Sequence, residues 1–272
     1  MRKDIDAFGA LFPMSPDVET TPVRAGGRPA ELLIPADKRS KCVLLYLHGG
    51  GFVMGSIQSH RQMASHLSAA AKITTLITDY RLAPEHPFPA AIHDTMSVYQ
   101  FLLTSGVAPH QIVVAGDSAG GGLSVSLMVR LKEKQLPLPG SCVVLSPWVD
   151  LALKGASWIG NAQHDDLINK DEAKRMVQYY LSGKNCFHPM ASPVYADLSM
   201  LPSFLIQVGS REVLLDDAVS LHSRAQQCGV TSDLEIWDDM PHVWHFMSPV
   251  LKEGRMAINR IAEFINDHFR KA

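Results

Sequence analysis

Residues Gly116-Asp117-Ser118-Ala119-Gly120 lie where a strand pattern gives way to a helix pattern, and they constrain the fold more than any other stretch. Before them runs Gln111-Ile112-Val113-Val114-Ala115, short, apolar and β-branched; after them Leu123, Leu127 and Leu131 recur at a helical spacing. A serine on so sharp a strand-to-helix turn is forced into a strained backbone shape with its hydroxyl exposed. Glycine two positions to either side lets strand and helix approach closely enough for the turn to exist. The pattern predicts a nucleophile at Ser118. A glycine-rich turn with an incidental serine would read the same way, so the weight falls on whether the serine's partners follow in order.

The rest of the chain repeats the strand–helix alternation. Strand patterns fall at 30–34, 41–47, 73–78, 141–145, 203–208 and 234–237, and helix patterns at 59–71, 89–103, 214–227 and 255–269. Such alternation argues for a mostly parallel sheet covered by helices on both faces, α/β in class with about eight strands. Val43-Leu44-Leu45-Tyr46-Leu47 is nearly all apolar, which suits a strand buried on both sides. Residues 1–25 read as a lead segment with a short helix at 4–11, closed by Pro13 and Pro16. Residues 151–191 interrupt the alternation: no strand intervenes, Asn169 caps a helix with Glu172 three residues on, and Ser182-Gly183 ends it. That stretch reads as an insertion over the C-terminal edge of the sheet, where open α/β sheets bind ligands. The expected organisation is one catalytic domain over 26–272, carrying the 151–191 insertion, with 1–25 in front.

Length and charge exclude several classes. At 272 residues the chain can bury a sizeable core. Its formal charge of −2 leaves no basic footprint for nucleic acid. No run of about 18 apolar residues is present to span a bilayer, and Met1-Arg2-Lys3-Asp4-Ile5-Asp6 lacks an apolar signal core, so the expected compartment is the cytoplasm. Cys42, Cys142, Cys186 and Cys228 form no C-x-x-C pair, which speaks against a zinc site and against disulfides. No metal or organic cofactor is expected.

Acyl transfer builds negative charge on a carbonyl oxygen, and backbone N–H groups aimed at that oxygen stabilise it, each by roughly 3–4 kcal/mol. His48-Gly49-Gly50-Gly51-Phe52, directly after the strongest early strand, folds tightly enough to present such groups from Gly50 and Gly51. Ala119, the residue after the serine, offers a third. The general base should be a histidine on a late loop. Of twelve histidines, only His222, His242, His245 and His268 follow the penultimate strand. His222 sits inside a helix and His268 near the end of the last one, where it should be solvated. His242, just past the last strand, is the expected base and His245 its rival. A carboxylate must hold that imidazole. In Gly209-Ser210-Arg211-Glu212-Val213-Leu214-Leu215-Asp216-Asp217, Glu212 lies on the loop at the strand end, while Asp216 and Asp217 lie a turn into the helix as alternatives. The order Ser118, Glu212, His242 is that of the α/β-hydrolase fold.

Together with Tyr80-Arg81-Leu82-Ala83-Pro84-Glu85-His86-Pro87-Phe88-Pro89-Ala90 and Trp237-Asp238-Asp239-Met240-Pro241-His242-Val243-Trp244-His245, these motifs give a chain that strongly resembles the hormone-sensitive-lipase-like esterases, bacterial family IV, over roughly 30–270. The resemblance implies an α/β-hydrolase fold with a small helical cap, made by the N-terminal segment, here short, and the 151–191 insertion. It implies Ser118 as nucleophile, His242 as base, Glu212 as acid, and Gly50, Gly51 and Ala119 as oxyanion donors. Many members carry aspartate in a D-P-L run where this chain has Glu212-Val213-Leu214. It also implies that Arg81, Glu85 and Asp94 brace the loops under the site, and that the edge strand 232–237 makes a homodimer.

The expected activity is hydrolysis of short-to-medium acyl esters through an acyl-enzyme, with a small-molecule ester as the partner. Phe52, Met54, Trp148, Val149, Leu214 and Val243 are candidates to line the acyl site, each of which would serve equally as core. A lactonase, amidase or formamidase would use the same machinery. A ligand receptor on this scaffold would lose a triad member, and here all three are present.

Overall fold

Strands apolar on both faces must lie in the interior of a sheet that is covered twice. Five such runs occupy the middle of the single eight-stranded sheet of this computed structural model, which describes residues 2–38 and 41–271. In chain order the strands are β1 (Val18–Ala25), β2 (Arg28–Pro35), β3 (Val43–Leu47), β4 (Thr74–Thr78), β5 (Ile112–Asp117), β6 (Ser141–Leu145), β7 (Ser203–Gly209) and β8 (Ser232–Trp237). The helices are α1 (Arg2–Gly9), α2 (Ile57–Ala71), α3 (Ala90–Thr104), α4 (Ser118–Glu133), α5 (Ser157–Gly160), α6 (Lys170–Leu181), α7 (Leu215–Gln227) and α8 (Lys252–Lys271). Strand order is β1-β2-β4-β3-β5-β6-β7-β8. From β4 to β8 every pairing is parallel, while β1 and β2 run antiparallel at one edge.

The period of two along β3 divides its side chains between two cores. Leu44 and Tyr46 pack with Met63 and Leu67 of α2 and Ile261 and Ile265 of α8. Val43, Leu45 and Leu47 face the other layer, with Val98 and Leu102 of α3, Leu123 and Leu127 of α4 and Leu221 of α7. Each fully buried aliphatic side chain contributes roughly 1.5–3 kcal/mol of transfer free energy. Double coverage thus fixes both the parallel topology and the register. In that register Leu47 pairs with Gly116, Asp117 with Leu145, Leu145 with Gln207 and Gly209 with Trp237. Five connections, after β3, β5, β6, β7 and β8, therefore leave the sheet side by side at its C-terminal edge.

The N-terminal stretch departs from the sequence expectation. Residues 18–25 are the outer strand of the sheet, joined to β2 by Gly26 and Gly27, both at positive φ. Only Ala25 of β1 is buried, and Pro22 sits mid-strand, so the apolar alternation that marks a strand is missing; a solvated edge tolerates both. The Gly-Gly turn was the readable signal. The first helix ends at Gly9, two residues earlier than 4–11 suggests, and its Asp6 accepts from Ser56 Oγ at the start of α2. Between β6 and β7 the chain forms α5 and α6 and no strand, as the sequence predicts. Asn169 caps α6 through the Glu172 N–H (2.9 Å), and Ser182 ends it in the left-handed region. All four cysteines are free thiols. Among the described residues no helix is long and apolar enough to cross a membrane.

Candidate active site

Ser118 stands where β5 becomes α4, at φ +52. A non-glycine residue in that region costs about 1–3 kcal/mol and persists only where its surroundings over-determine it. Here they do. A Cβ on Gly116 or Gly120 would run into the backbone of the opposite element or of Leu47, so the two flanking glycines permit the close packing. The Ser118 carbonyl accepts from Trp148 N–H (2.9 Å). Among the described residues Ser118 Oγ makes no hydrogen bond; such bonds are commonly long before substrate binds and tighten in the complex.

The loop after β3 runs through three consecutive positive-φ residues, Gly50 (+107), Gly51 (+61) and Phe52 (+64). The Gly50 carbonyl closes the turn by accepting from Val53 (3.1 Å) and Met54 (3.0 Å). The N–H groups of Gly50 and Gly51 make no hydrogen bond among the described residues, and that of Ala119 lies in the unpaired first turn of α4. Three backbone donors are thus free beside the strained serine.

Glu212, fully buried on the loop after β7, uses both carboxylate oxygens. Oε1 accepts from Gly209 N–H (2.6 Å) and Ser146 Oγ–H (2.7 Å). Oε2 accepts from His242 Nδ1 (2.7 Å). That bond assigns the proton to Nδ1 and leaves Nε2 as the basic nitrogen. Burial pulls the His242 pKa down, but the hydrogen bond and charge of Glu212 outweigh it, and the imidazole titrates above its ordinary 6.5. For Glu212 burial pushes the carboxyl up, while the bonds from His242, Ser146 and Gly209 draw it back.

The rival residues lie elsewhere. His245 is fully buried, with Nε2 on Gln207 Oε1 (2.8 Å), and burial lowers its pKa to about 3, so it stays neutral. Asp217 is buried, and its Oδ2 accepts from the N–H groups of Val149 (2.9 Å) and Asp150 (2.8 Å). Asp216 accepts from Ser157 N–H (2.9 Å). His222 bonds Ser232 Oγ (3.0 Å), and His268, expected in solvent, packs its ring on Gly140. Of the six apolar candidates, Phe52, Trp148, Val149, Leu214 and Val243 are buried in the cores, and Met54 is partly exposed against the same packing. Arg81 and Asp94 do pair (2.8 Å), whereas Glu85 bonds Arg2 of α1 (2.9 Å) on the surface.

Three features escaped the sequence reading. Ser146, at φ +46 just past β6, donates to Glu212 and accepts from Val243 N–H (3.2 Å). Met176 of α6 lays its sulfur on the Cα of Gly51, where a Cβ would strike it. Asp117 is buried in a hydrogen-bonded group with Tyr46, Gly49 and His60. The signals were weak: a Ser-Pro pair after a strand, a methionine on an amphipathic helix, and a charge between the two glycines of the turn. Among the described residues no group of three or more His, Cys, Asp or Glu is placed to hold a metal ion.

Comparison with known proteins places the fold and family of the chain. The α/β hydrolase fold family matches residues 44–246. An acetyl-hydrolase of Streptomyces hygroscopicus is 44% identical over 260 residues, 96% of this chain and 85% of its own. An esterase of Acinetobacter venetianus is 34% identical, covering 97% of this chain and 87% of its own. The crystal structure of an esterase from the bacterial hormone-sensitive lipase family superposes with a TM-score of 0.96 at 47% identity, over 98% of this chain and 90% of that one. The chain belongs to the α/β-hydrolase fold family. Within it the chain falls among the bacterial hormone-sensitive-lipase-like esterases, and it is a serine carboxylesterase.

Proposed function

We propose that Ser118, His242 and Glu212 form the catalytic triad of this esterase. His242 Nε2 takes the Ser118 proton as Oγ attacks the ester carbonyl, and Glu212 holds the Nδ1 tautomer and stabilises the imidazolium. The oxyanion accepts from Gly50, Gly51 and Ala119 N–H. Collapse of the tetrahedral adduct breaks the ester C–O bond, and the imidazolium returns its proton to the departing alkoxide. Water, activated by the same imidazole, then cleaves the acyl-enzyme and regenerates Ser118. The observation that carries this reading is the His242 Nδ1–Glu212 Oε2 bond of 2.7 Å, which leaves one basic nitrogen at the sheet edge that holds the strained serine. Ser118→Ala should abolish turnover of p-nitrophenyl acetate, and a fluorophosphonate should label Ser118; activity near wild type in Ser118→Ala would refute the assignment.

The substrate class we propose is short acyl esters, with 151–191 and α1 acting as the cap. Crowding at the oxyanion loop supports it: Phe52 stacks on Tyr180 of α6 (3.9 Å between centroids), Phe88 meets Tyr180 edge-on (5.7 Å), and Met176 covers Gly51. The relative named acetyl-hydrolase points the same way. A p-nitrophenyl ester series from acetate to laurate tests it, with activity expected to fall beyond medium chains.

We also propose that two copies pair along β8. That strand has a neighbour on one side only and exposes Ile236, half accessible, features that favour strand-to-strand association. Light scattering on wild type and Ile236→Lys decides it: a monomer in both ends this reading.

A further inference from the structure

A second buried carboxylate beside Ser118 has as many hydrogen-bond partners as Glu212. Asp117, 2% exposed, directly precedes Ser118 in the turn. Its Oδ1 accepts from Tyr46 OH (2.6 Å) on β3 and from Gly49 N–H (3.1 Å) in the loop after β3. Its Oδ2 faces His60 Nε2 (3.2 Å) on α2, the Ser59 hydroxyl lies at His60 Nδ1 (2.7 Å), and Gly49 N–H also reaches His60 Nε2 (3.2 Å). A Cβ on Gly49 would fall on Oδ2, so the carboxylate rests against that glycine. One side chain thus ties β3, α2 and the serine turn to the residue next to Gly50 and Gly51.

We propose that Asp117 is a positioning residue that sets the oxyanion loop against the nucleophile turn, with Tyr46 and His60 holding its carboxylate in place. The argument rests on the reading of Ser118 as nucleophile and of Gly50 and Gly51 as donors. Among the described residues neither N–H makes a hydrogen bond; the loop that carries them is closed at the Gly50 carbonyl by Val53 and Met54 and held at its start by Asp117 on Gly49, so its placement against the serine turn depends on that second bond. Misplacing a reacting group by about 1 Å can cost on the order of 10²-fold in rate. Asp117 acts also as a charge. Burial alone would push its carboxyl up, but His60 and the Tyr46 hydroxyl hold it below the usual aspartate value, so it is ionised. That negative charge is felt by Tyr46, His48 and Tyr80 on and beside the oxyanion loop, and by His242 and His245 beyond β8.

The test compares Asp117→Ala, Asp117→Asn and Tyr46→Phe. Readouts are kcat and KM for p-nitrophenyl acetate, affinity for an alkyl trifluoromethyl ketone that mimics the tetrahedral adduct, and the pH profile. Asp117→Ala should lower kcat about 10²-fold with KM little changed, and weaken the ketone by a similar factor. Asp117→Asn should recover most of both, because its amide oxygen still accepts from Gly49 and Tyr46. Its acid limb should move to lower pH, since a charge that favours the His242 imidazolium is gone. A folded Asp117→Ala with kcat and ketone affinity within threefold of wild type overturns the proposal, as does an Asp117→Asn no better than it. Should Asp117→Ala fail to fold, Tyr46→Phe decides: a several-fold loss of kcat and ketone affinity supports the proposal, and neither changing overturns it. Labelling of wild-type Ser118 by a fluorophosphonate tests the underlying reading separately.

Discussion

Ser146 Oγ lies 2.7 Å from Glu212 Oε1, so a hydroxyl one residue past β6 holds the acid that follows β7. The same oxygen accepts from Val243 N–H, next to His242. One serine therefore ties the Glu212 carboxylate to the backbone beside His242 from the side opposite their own bond.

Ser146→Ala should accordingly lower kcat by about tenfold and reduce stability by roughly 1–3 kcal/mol, because the buried Val243 N–H loses its acceptor and Glu212 a donor. Steady-state kinetics with calorimetry checks both. A variant that loses stability but keeps wild-type kcat would show the hydroxyl to be structural only.

The pH profile follows from the Glu212 bond. Carboxylate and imidazolium stabilise each other, so His242 keeps its proton to a pH above 6.5. As the proposed general base, His242 works when deprotonated, hence kcat/KM should rise with pH through a midpoint above 6.5. Glu212→Gln removes the charge: the midpoint should fall, and kcat should drop by about 10⁴-fold, the scale of losing a triad acid. A midpoint that does not move on substitution would detach Glu212 from the base.

Asp217 predicts a stability effect with the opposite character. Burial, with further repulsion from Asp150 and Asp216, raises its pKa to about 8, although the Asp150 and Val149 N–H groups oppose the rise. The folded protein therefore binds a proton that the unfolded chain, at 3.8, has released. Its contribution to stability is full below 3.8 and is lost as pH rises toward 8. Asp217→Asn keeps an acceptor for the two N–H groups without that pH dependence. Its Tm relative to wild type should increase from pH 5 to pH 8, and melting curves at the two pH values would expose a constant difference.

Met176 predicts selectivity. Its sulfur covers Gly51 from α6, and the side chain is half-buried. Each methylene accommodated in the space vacated is worth about 0.8 kcal/mol, roughly fourfold. Met176→Ala should raise kcat/KM for octanoate relative to acetate by at least that factor, and an unchanged chain-length profile would place the acyl group elsewhere.

Much of this site was legible because its chemistry is local in sequence. The strand–turn–helix at Ser118 follows from β-branched residues, two glycines and a leucine period within about twenty positions. The glycine run after Leu47 and the acid after Val208 likewise announce themselves at strand ends. Asn169 and Ser182 bracket α6 by capping chemistry alone. What stayed hidden depends on neighbours in space. β1 looked like a lead segment because an edge strand needs no buried face. Asp217 read as an alternative acid a turn into the helix because nothing in its own segment reveals that the N–H groups of the loop after β6 fold over it.

The sequence by itself determined the alternation of strands and helices and the glycine run after Leu47, and offered Ser118, Glu212 and His242 as candidates in that order, since these rest on periodicity, glycine content and short-range turn chemistry. Tertiary structure bonded the expected His242 to Glu212 and His245 to Gln207, and alone decided that Asp117 faces Gly49 across the sheet edge. The physical reason is strand order. β3 lies beside β5 and β6 beside β7, pairings between segments tens of residues apart that burial on both faces of the sheet selects and no local pattern encodes.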